Sequence, residues 1–149
     1  MKKSLLIVAL TVFFVFTACT PVIYRNMADC DKSDVDVFKD ITTILMQEEF
    51  TIKNANENIG FLVAERETAP LYAGGYGSKI VWEFNVRNGK IMGTYKTFLY
   101  ESNLSGGIKE TMQPTYGSDK TGKGEVTYWN VRNSIERVCN SKIVVMEVK

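Results

Sequence analysis

Histidine is absent from this chain of 149 residues, and only three cysteines and three prolines are present. Without imidazole there is no histidine-containing catalytic triad, no histidine-ligated metal site and no histidine proton shuttle. Cys19, Cys30 and Cys139 lie too far apart in sequence for a C-x-x-C ligand pair, so a zinc site is not expected either. The sequence therefore predicts no metal and no other cofactor.

Neither sign of charge dominates, because 18 Lys and Arg residues stand against 17 Asp and Glu residues without runs of like charge. A basic surplus is typical of nucleic-acid-binding chains, so nucleic acid is not an expected partner. Long apolar runs are also lacking. The longest largely apolar segment, Leu5 to Phe16, is shorter than the roughly 20 residues that a membrane-crossing helix needs.

This segment has the organisation of an export signal, since Lys2 and Lys3 precede it and small residues follow it. Its end, Phe16-Thr17-Ala18-Cys19, resembles the lipobox of bacterial lipoproteins. The resemblance implies that the chain is cut before Cys19 and that the Cys19 thiol is acylated. Residues 1–18 are then a signal peptide and residues 19–32 a lipidated tether. The alternative is an ordinary secretory signal in which a cysteine follows the cut by chance.

Lipidation would hold the protein in the cell envelope, because two or three acyl chains anchor a protein firmly whereas one binds only marginally. Thr20, rather than Asp, follows Cys19. By analogy with enteric bacteria this permits transfer to the outer membrane. We therefore expect an anchored protein on the outer membrane, facing the periplasm.

Once Cys19 is acylated, Cys30 and Cys139 remain as one pair. In an oxidising compartment they can form a disulfide. In a reducing or anaerobic envelope they would be two buried thiols instead.

The remaining chain, residues 33–149, reads as a single domain. Ser33 is a candidate helix N-cap with Asp36 three positions later, and the helix is expected to end near Glu49. Its apolar stripe consists of Val37, Phe38, Ile41, Ile44 and Leu45. Phe50 to Lys53 and Phe61 to Glu65 alternate as strands, with a turn-rich segment between them.

A β-hairpin around Asn88-Gly89 is the clearest local signal, because this dipeptide favours a two-residue turn. That turn pairs Arg87 with Lys90, and the register then puts Trp82 opposite Tyr95. The same register puts Phe84 opposite Gly93, where the missing side chain leaves space for the ring.

The C-terminal part predicts a helix over residues 126–139, although Val126 to Trp129 could also be a strand, and a last strand from Lys142 to Val148. Ile108 to Met112 is a further candidate strand. The whole is an α+β fold with an antiparallel sheet of four to five strands and a helix near each end of the mature domain. The α-β-β pattern from Phe38 to Glu65 resembles the helix-grip modules of envelope-assembly lipoproteins.

Three tyrosines among glycines, Tyr72, Tyr76 and Tyr116, are candidate binding residues, since rigid amphipathic rings make contacts at low entropy cost. The alternative is ordinary surface tyrosine. Glu48 and Glu49 point about 100° apart on a helix and are expected to be a solvated helix end. Glu65 and Glu83 lie on different strands and could face each other, an arrangement that would suit hydrolysis of a sugar linkage.

No complete catalytic set is present, so the leading hypothesis is a membrane-anchored, non-catalytic envelope lipoprotein. Its globular domain would bind another envelope protein or a glycan. One alternative is a carrier or inhibitor that holds a small apolar ligand between the sheet and the helices. The other is a carboxylate-based hydrolase that uses Glu65 and Glu83.

Overall fold

The computed structural model describes residues 23–67, 76–102, 108–113 and 123–148. These residues form seven strands and two α-helices, and a 3₁₀ turn at Glu57–Ile59 joins two of the strands. The elements are β1 (Ile23–Asp29), α1 (Asp34–Gln47), β2 (Thr51–Asn56), β3 (Phe61–Glu67), β4 (Tyr76–Arg87), β5 (Lys90–Ser102), β6 (Ile108–Gln113), α2 (Lys123–Cys139) and β7 (Val144–Val148).

All strand pairs in the single sheet are antiparallel, and the strand order is β2-β3-β4-β5-β1-β7. β6 lies outside this order because β5 is long enough to pair twice along one edge. Its first part, Lys90 to Thr94, pairs with β1, and its second part, Thr97 to Ser102, pairs with β6. β4 runs along the opposite edge of β5 over its length.

Helix α1 begins as predicted from the sequence. The Ser33 hydroxyl accepts a hydrogen bond from the Asp36 backbone N–H at 3.2 Å, which satisfies one of the unpaired donors of the first turn. Asp34 and Asp36 place negative charge at the positive end of the helix. The apolar stripe is buried as expected: Val37, Phe38, Ile41, Ile44 and Leu45.

The predicted β4–β5 hairpin is confirmed with its register, since Arg87 pairs with Lys90 and Trp82 with Tyr95. Asn88 and Gly89 have φ values of 54° and 68°, as a two-residue turn of this kind requires. Gly93 lies opposite Phe84, and a Cβ at Gly93 would be 2.5 Å from the Phe84 ring. The glycine is therefore a packing requirement of the Phe84 ring.

Both helices contribute to one core on one face of the sheet, which we call the covered face. Its buried side chains form a single cluster with those of the helices, including Leu62, Trp82, Phe84, Leu45 and Ile135. Trp82 is fully buried and stacks against Phe84 and Tyr128 with ring centroids 4.9 and 5.6 Å apart. The α+β class with an antiparallel sheet is confirmed. In the described part of the chain, no helix is both long and apolar enough to cross a membrane.

The predicted count of four to five strands is wrong, because the sheet has seven. The candidate strand from Ile108 to Met112 is confirmed as β6, Ile108–Gln113. β1 lies within residues 19–32, which we expected to be a tether. β1 does not show apolar alternation in the sequence, because one of its buried positions is occupied by a polar residue, Asn26. Asn26 is 4% exposed and accepts a hydrogen bond from the Tyr128 hydroxyl at 2.6 Å. The sheet therefore begins at Ile23, and residues 23–29 are not a tether.

A disulfide joins Cys30, directly after β1, to Cys139, the last residue of α2. The two Cα atoms are 4.4 Å apart, and the residues are 109 positions apart in sequence. A cross-link over a loop of this length stabilises a fold by roughly 4–5 kcal/mol in the chain-entropy model. The bond fixes the end of α2 beside the end of β1.

Candidate functional site

A groove lies where the end of α1, the end of β3 and the first turns of α2 meet. It has a volume of about 420 Å³ and is lined by Gln47, Glu48, Glu49, Arg66, Val126, Thr127 and Asn130. A second depression of about 340 Å³ shares Glu49 and Arg66 with it and adds Thr51, Lys53, Glu65 and Glu67. We call the two together the Arg66 groove.

Arg66 is the central cation of this groove. One terminal nitrogen, Nη1, donates to the Glu48 carbonyl at 3.1 Å and to the Thr127 hydroxyl at 3.0 Å. The other, Nη2, donates to a carboxylate oxygen of Glu49 at 2.8 Å. The side chain is 26% exposed. Because its contacts reach both helices from a strand, Arg66 fixes the shape of the groove.

Strand alternation explains how a charged side chain comes to lie there. Leu62 and Ala64 are fully buried on the covered face, and Arg66 is the next residue of β3 on that face. The apolar series therefore continues into an arginine at the point where the helix layer ends. Arg66 is not among the site residues predicted from the sequence, although this alternation is the signal that could have identified it.

Glu49 has a backbone conformation that glycine usually occupies. It follows the end of α1 with a φ of +63°, and it lies in the left-handed region. Its N–H donates to the Met46 carbonyl, and the Phe50 N–H donates to the Leu45 carbonyl at 2.9 Å. This is the helix-ending pattern in which glycine avoids a steric cost of about 1 kcal/mol. In this chain the position is occupied by Glu49 despite the strain, and the Glu49 side chain is 78% exposed.

The wall opposite Glu49 is formed by α2. Thr127 is 5% exposed, and the Asn130 side-chain amide donates to the Glu48 carboxylate at 3.0 Å. One apolar residue lines the groove beside these polar contacts, since Val126 is 60% exposed. Glu48 and Glu49, expected to be a solvated helix end, therefore belong to a structured groove.

The lining has a negative charge surplus. Glu48, Glu49, Glu65 and Glu67 provide four carboxylates, whereas Arg66 and Lys53 provide two cations. The negative end of the α1 dipole also points to this place. Such a groove attracts positively charged groups and hydrogen-bond donors. Exposed Val126 adds apolar contact area.

Glu65 and Glu83, the expected carboxylate pair, lie diagonally on neighbouring strands, because Glu65 is opposite Val81 and Glu83 is opposite Val63. Each has its own lysine partner. Lys53 is 3.8 Å from the Glu65 carboxylate, and Lys96 is 2.7 Å from both oxygens of Glu83. Each carboxylate is therefore paired with a lysine of a neighbouring strand.

The other residues singled out from the sequence are distributed as follows. Cys30 and Cys139 form the disulfide described above. Cys19, Tyr72 and Tyr116 lie outside the described residues, and Tyr76 is described only as the first backbone position of β4. No three His, Cys, Asp or Glu side chains of the described segments come together as a metal site.

Glu136 forms a separate charged cluster at the end of α2, where a depression of about 400 Å³ lies. Its carboxylate accepts hydrogen bonds from the Ile143 N–H and from Lys142, both at 3.0 Å, and Arg132 is 3.5 Å away. Partial burial raises the pKa of Glu136. The two hydrogen bonds and the charges of Lys142 and Arg132 outweigh this effect, so that its pKa is below the usual value.

No protein-family model matches this chain, and a search of curated proteins finds no matching protein.

Proposed function

We propose that this chain is a lipid-anchored protein of the cell envelope whose non-catalytic domain binds a basic segment of another envelope protein in the Arg66 groove. The anchor is inferred from Phe16-Thr17-Ala18-Cys19, and the disulfide between Cys30 and Cys139 fits an oxidising compartment. The observation that carries the binding role is the strained backbone of Glu49. Glycine would be more stable at this helix end, whereas this chain has a glutamate whose carboxylate is 78% exposed in the groove.

The chemistry of the groove determines the class of partner. Its surplus of carboxylates favours lysine or arginine side chains, and exposed Val126 favours an apolar side chain next to them. A protein segment can supply both kinds of group together. A neutral glycan would use the hydrogen-bonding groups but not the charge, so a protein segment is the better fit.

The described structure offers little space for the apolar-ligand carrier. The region between the sheet and the helices is filled by a continuous cluster of side chains, with Trp82 and Phe84 at its centre. The proposed groove is instead open to solvent and lined mainly by polar groups. We therefore place the binding role in the groove.

The anchor is tested by labelling cells with palmitate. The wild-type protein should incorporate the label and sediment with membranes, whereas a Cys19→Ser variant should be unlabelled and soluble. Incorporation of palmitate by Cys19→Ser would contradict the assignment of the acylated residue.

The binding role is tested by photo-cross-linking in cells. A photoreactive amino acid replaces Gln47 or Val126, which line the groove, and Asp31 or Glu57, which are exposed elsewhere. The two groove positions should give a discrete cross-linked protein that the control positions do not give. Equal products at all four positions would contradict a partner in the groove, and a glycan adduct would show that the partner class is wrong.

A further inference from the structure

If Cys19 is acylated as proposed, the position of Ile23 limits how the domain can be oriented on a membrane. Ile23, the first residue of the sheet, is four residues after Cys19. Four residues span at most about 14 Å when fully extended. The first strand is therefore held within this distance of the anchored lipid.

Ile23 lies near the middle of the sheet along the strand direction. Arg25 pairs with Thr94, so continuing the register by two residues places Ile23 level with Lys96. β5 continues beyond Lys96 to Ser102, which is about 20 Å of strand. In the other direction β1 extends from Ile23 to Asp29, again about 20 Å.

The segment from Cys19 to Ile23, at most about 14 Å long, is shorter than the roughly 20 Å of strand on either side of Ile23. If the strands stood upright on the membrane, one end of the sheet would have to enter the bilayer by several ångströms. The strands must therefore lie flat or oblique to the bilayer surface, with one face of the sheet toward the lipid.

The positions of the helices determine which face of the sheet lies toward the lipid. They cover one face of the sheet, and α2 packs against β1, the strand that leads to the anchor. A helix with side chains is about 10–12 Å thick, and so its outer surface lies roughly 15 Å from the sheet. This is about the full length of the extended segment from Cys19 to Ile23, which leaves no slack for the helix face to lie toward the lipid. The opposite face, which we call the open face, carries no helix among the described residues.

The open face has suitable side chains beside the anchor. Val144, Met27 and Met92 lie side by side across β7, β1 and β5, and Met146 lies opposite Arg25. Val144 is 59% exposed and Met146 is 48% exposed, and Arg25 is exposed as well. Charged groups border these apolar side chains, namely Arg25 and the ion pair of Lys90 with Asp29, and such a mixture occurs on surfaces that rest at the lipid headgroups.

We infer that the open face around Met27, Met92, Val144 and Met146 lies against the bilayer surface. This orientation turns the helices, and with them Arg66 and the part of the groove between α1 and α2, toward the aqueous compartment. The groove is then accessible to a partner while the domain stays close to the membrane.

Photo-cross-linking to lipid tests this orientation. Full-length acylated protein is reconstituted into vesicles of phosphatidylethanolamine and phosphatidylglycerol that contain a radiolabelled phospholipid. A photoreactive amino acid replaces Met92 or Met146 on the open face, or the exposed Lys39 or Asn133 on the helices. Labelling should be several-fold higher at the two open-face positions, and the Cys19→Ser versions should lose most of it.

Two results would overturn the inference, and they are distinguishable from failure of the proposed function. Equal or stronger labelling at Lys39 and Asn133 would show that the helices face the lipid, although the anchor itself would stand. Protein adducts instead of lipid adducts at Met92 and Met146 would identify the open face as a protein interface. If the palmitate experiment fails for the wild-type chain, the anchor fails, and this inference fails with it.

Discussion

Asp34 and Gly89 connect the start of α1 to the turn of the central hairpin. One carboxylate oxygen of Asp34 accepts the Gly89 N–H at 2.8 Å, and the other accepts the Asn88 N–H at 2.8 Å. The Gly89 carbonyl in turn accepts the Cys30 N–H at 2.7 Å. The hairpin, the first helix and the disulfide therefore meet at one two-residue turn.

Replacing Asp34 by Ala should destabilise the fold by about 2 kcal/mol, because two hydrogen bonds to a charged acceptor are lost at a half-buried site. Urea denaturation measures the change in the free energy of unfolding. Asp31→Ala is the matched control, since Asp31 is exposed and is expected to change stability little. Equal stability of the two variants would contradict a structural role for Asp34.

Gly93→Ala should destabilise by about 1–3 kcal/mol, because the added methyl group would meet the buried Phe84 ring at 2.5 Å. Phe84→Leu removes the ring. The double variant should therefore lose less stability than the sum of the single losses, with a coupling energy of at least about 0.5 kcal/mol. Strictly additive losses in urea denaturation would contradict a direct clash.

Glu49→Gly should separate stability from binding. Relief of the left-handed strain contributes about 1–2 kcal/mol of stability, whereas the lost exposed ion pair with Arg66 costs about 0–1 kcal/mol. The variant should be at least as stable as the wild type while partner cross-linking from Val126 falls. A clear loss of stability, or unchanged cross-linking, would contradict the role given to Glu49.

Asn140→Gly is the control for this effect. Asn140 follows α2 with a φ of +49°, the same kind of position, but it lies outside the Arg66 groove. Its replacement should raise stability slightly and leave partner cross-linking unchanged.

Glu136 should make stability dependent on pH in the acid range. Its pKa in the folded protein is lowered relative to the unfolded chain, so the stability that it contributes is present above the ordinary carboxyl pKa. That contribution is lost as the pH falls through the lowered folded-state value. The groups facing the carboxylate are Lys142, Arg132 and the Ile143 N–H.

Denaturation of Glu136→Gln over a range of acid pH tests this directly. The variant should be less stable than the wild type at neutral pH, and the difference should shrink as the pH falls. Exposed Glu147→Gln is the control and should follow the wild-type curve. A constant difference between Glu136→Gln and wild type would contradict the linkage.

Local patterns predicted much of this fold, because the residues that decide them are neighbours in sequence. The Ser33 cap, the stripe of α1 and the register around Asn88-Gly89 are examples. β1 was missed because its buried Asn26 depends on Tyr128, 102 positions away. The Arg66 groove was missed for the same reason, since Thr127 and Glu48 reach Arg66 only after the helices pack together.

The most direct test of the account measures how partner cross-linking depends on the charge of the groove. With the photoreactive group at Val126, Glu49→Lys and Glu67→Lys reverse two of its carboxylates, while Asp31→Lys and Glu57→Lys make the same change elsewhere. We predict that the two groove variants reduce the cross-linked product to background and that the two controls retain it. Undiminished cross-linking in both groove variants would contradict the binding of a basic segment in the Arg66 groove.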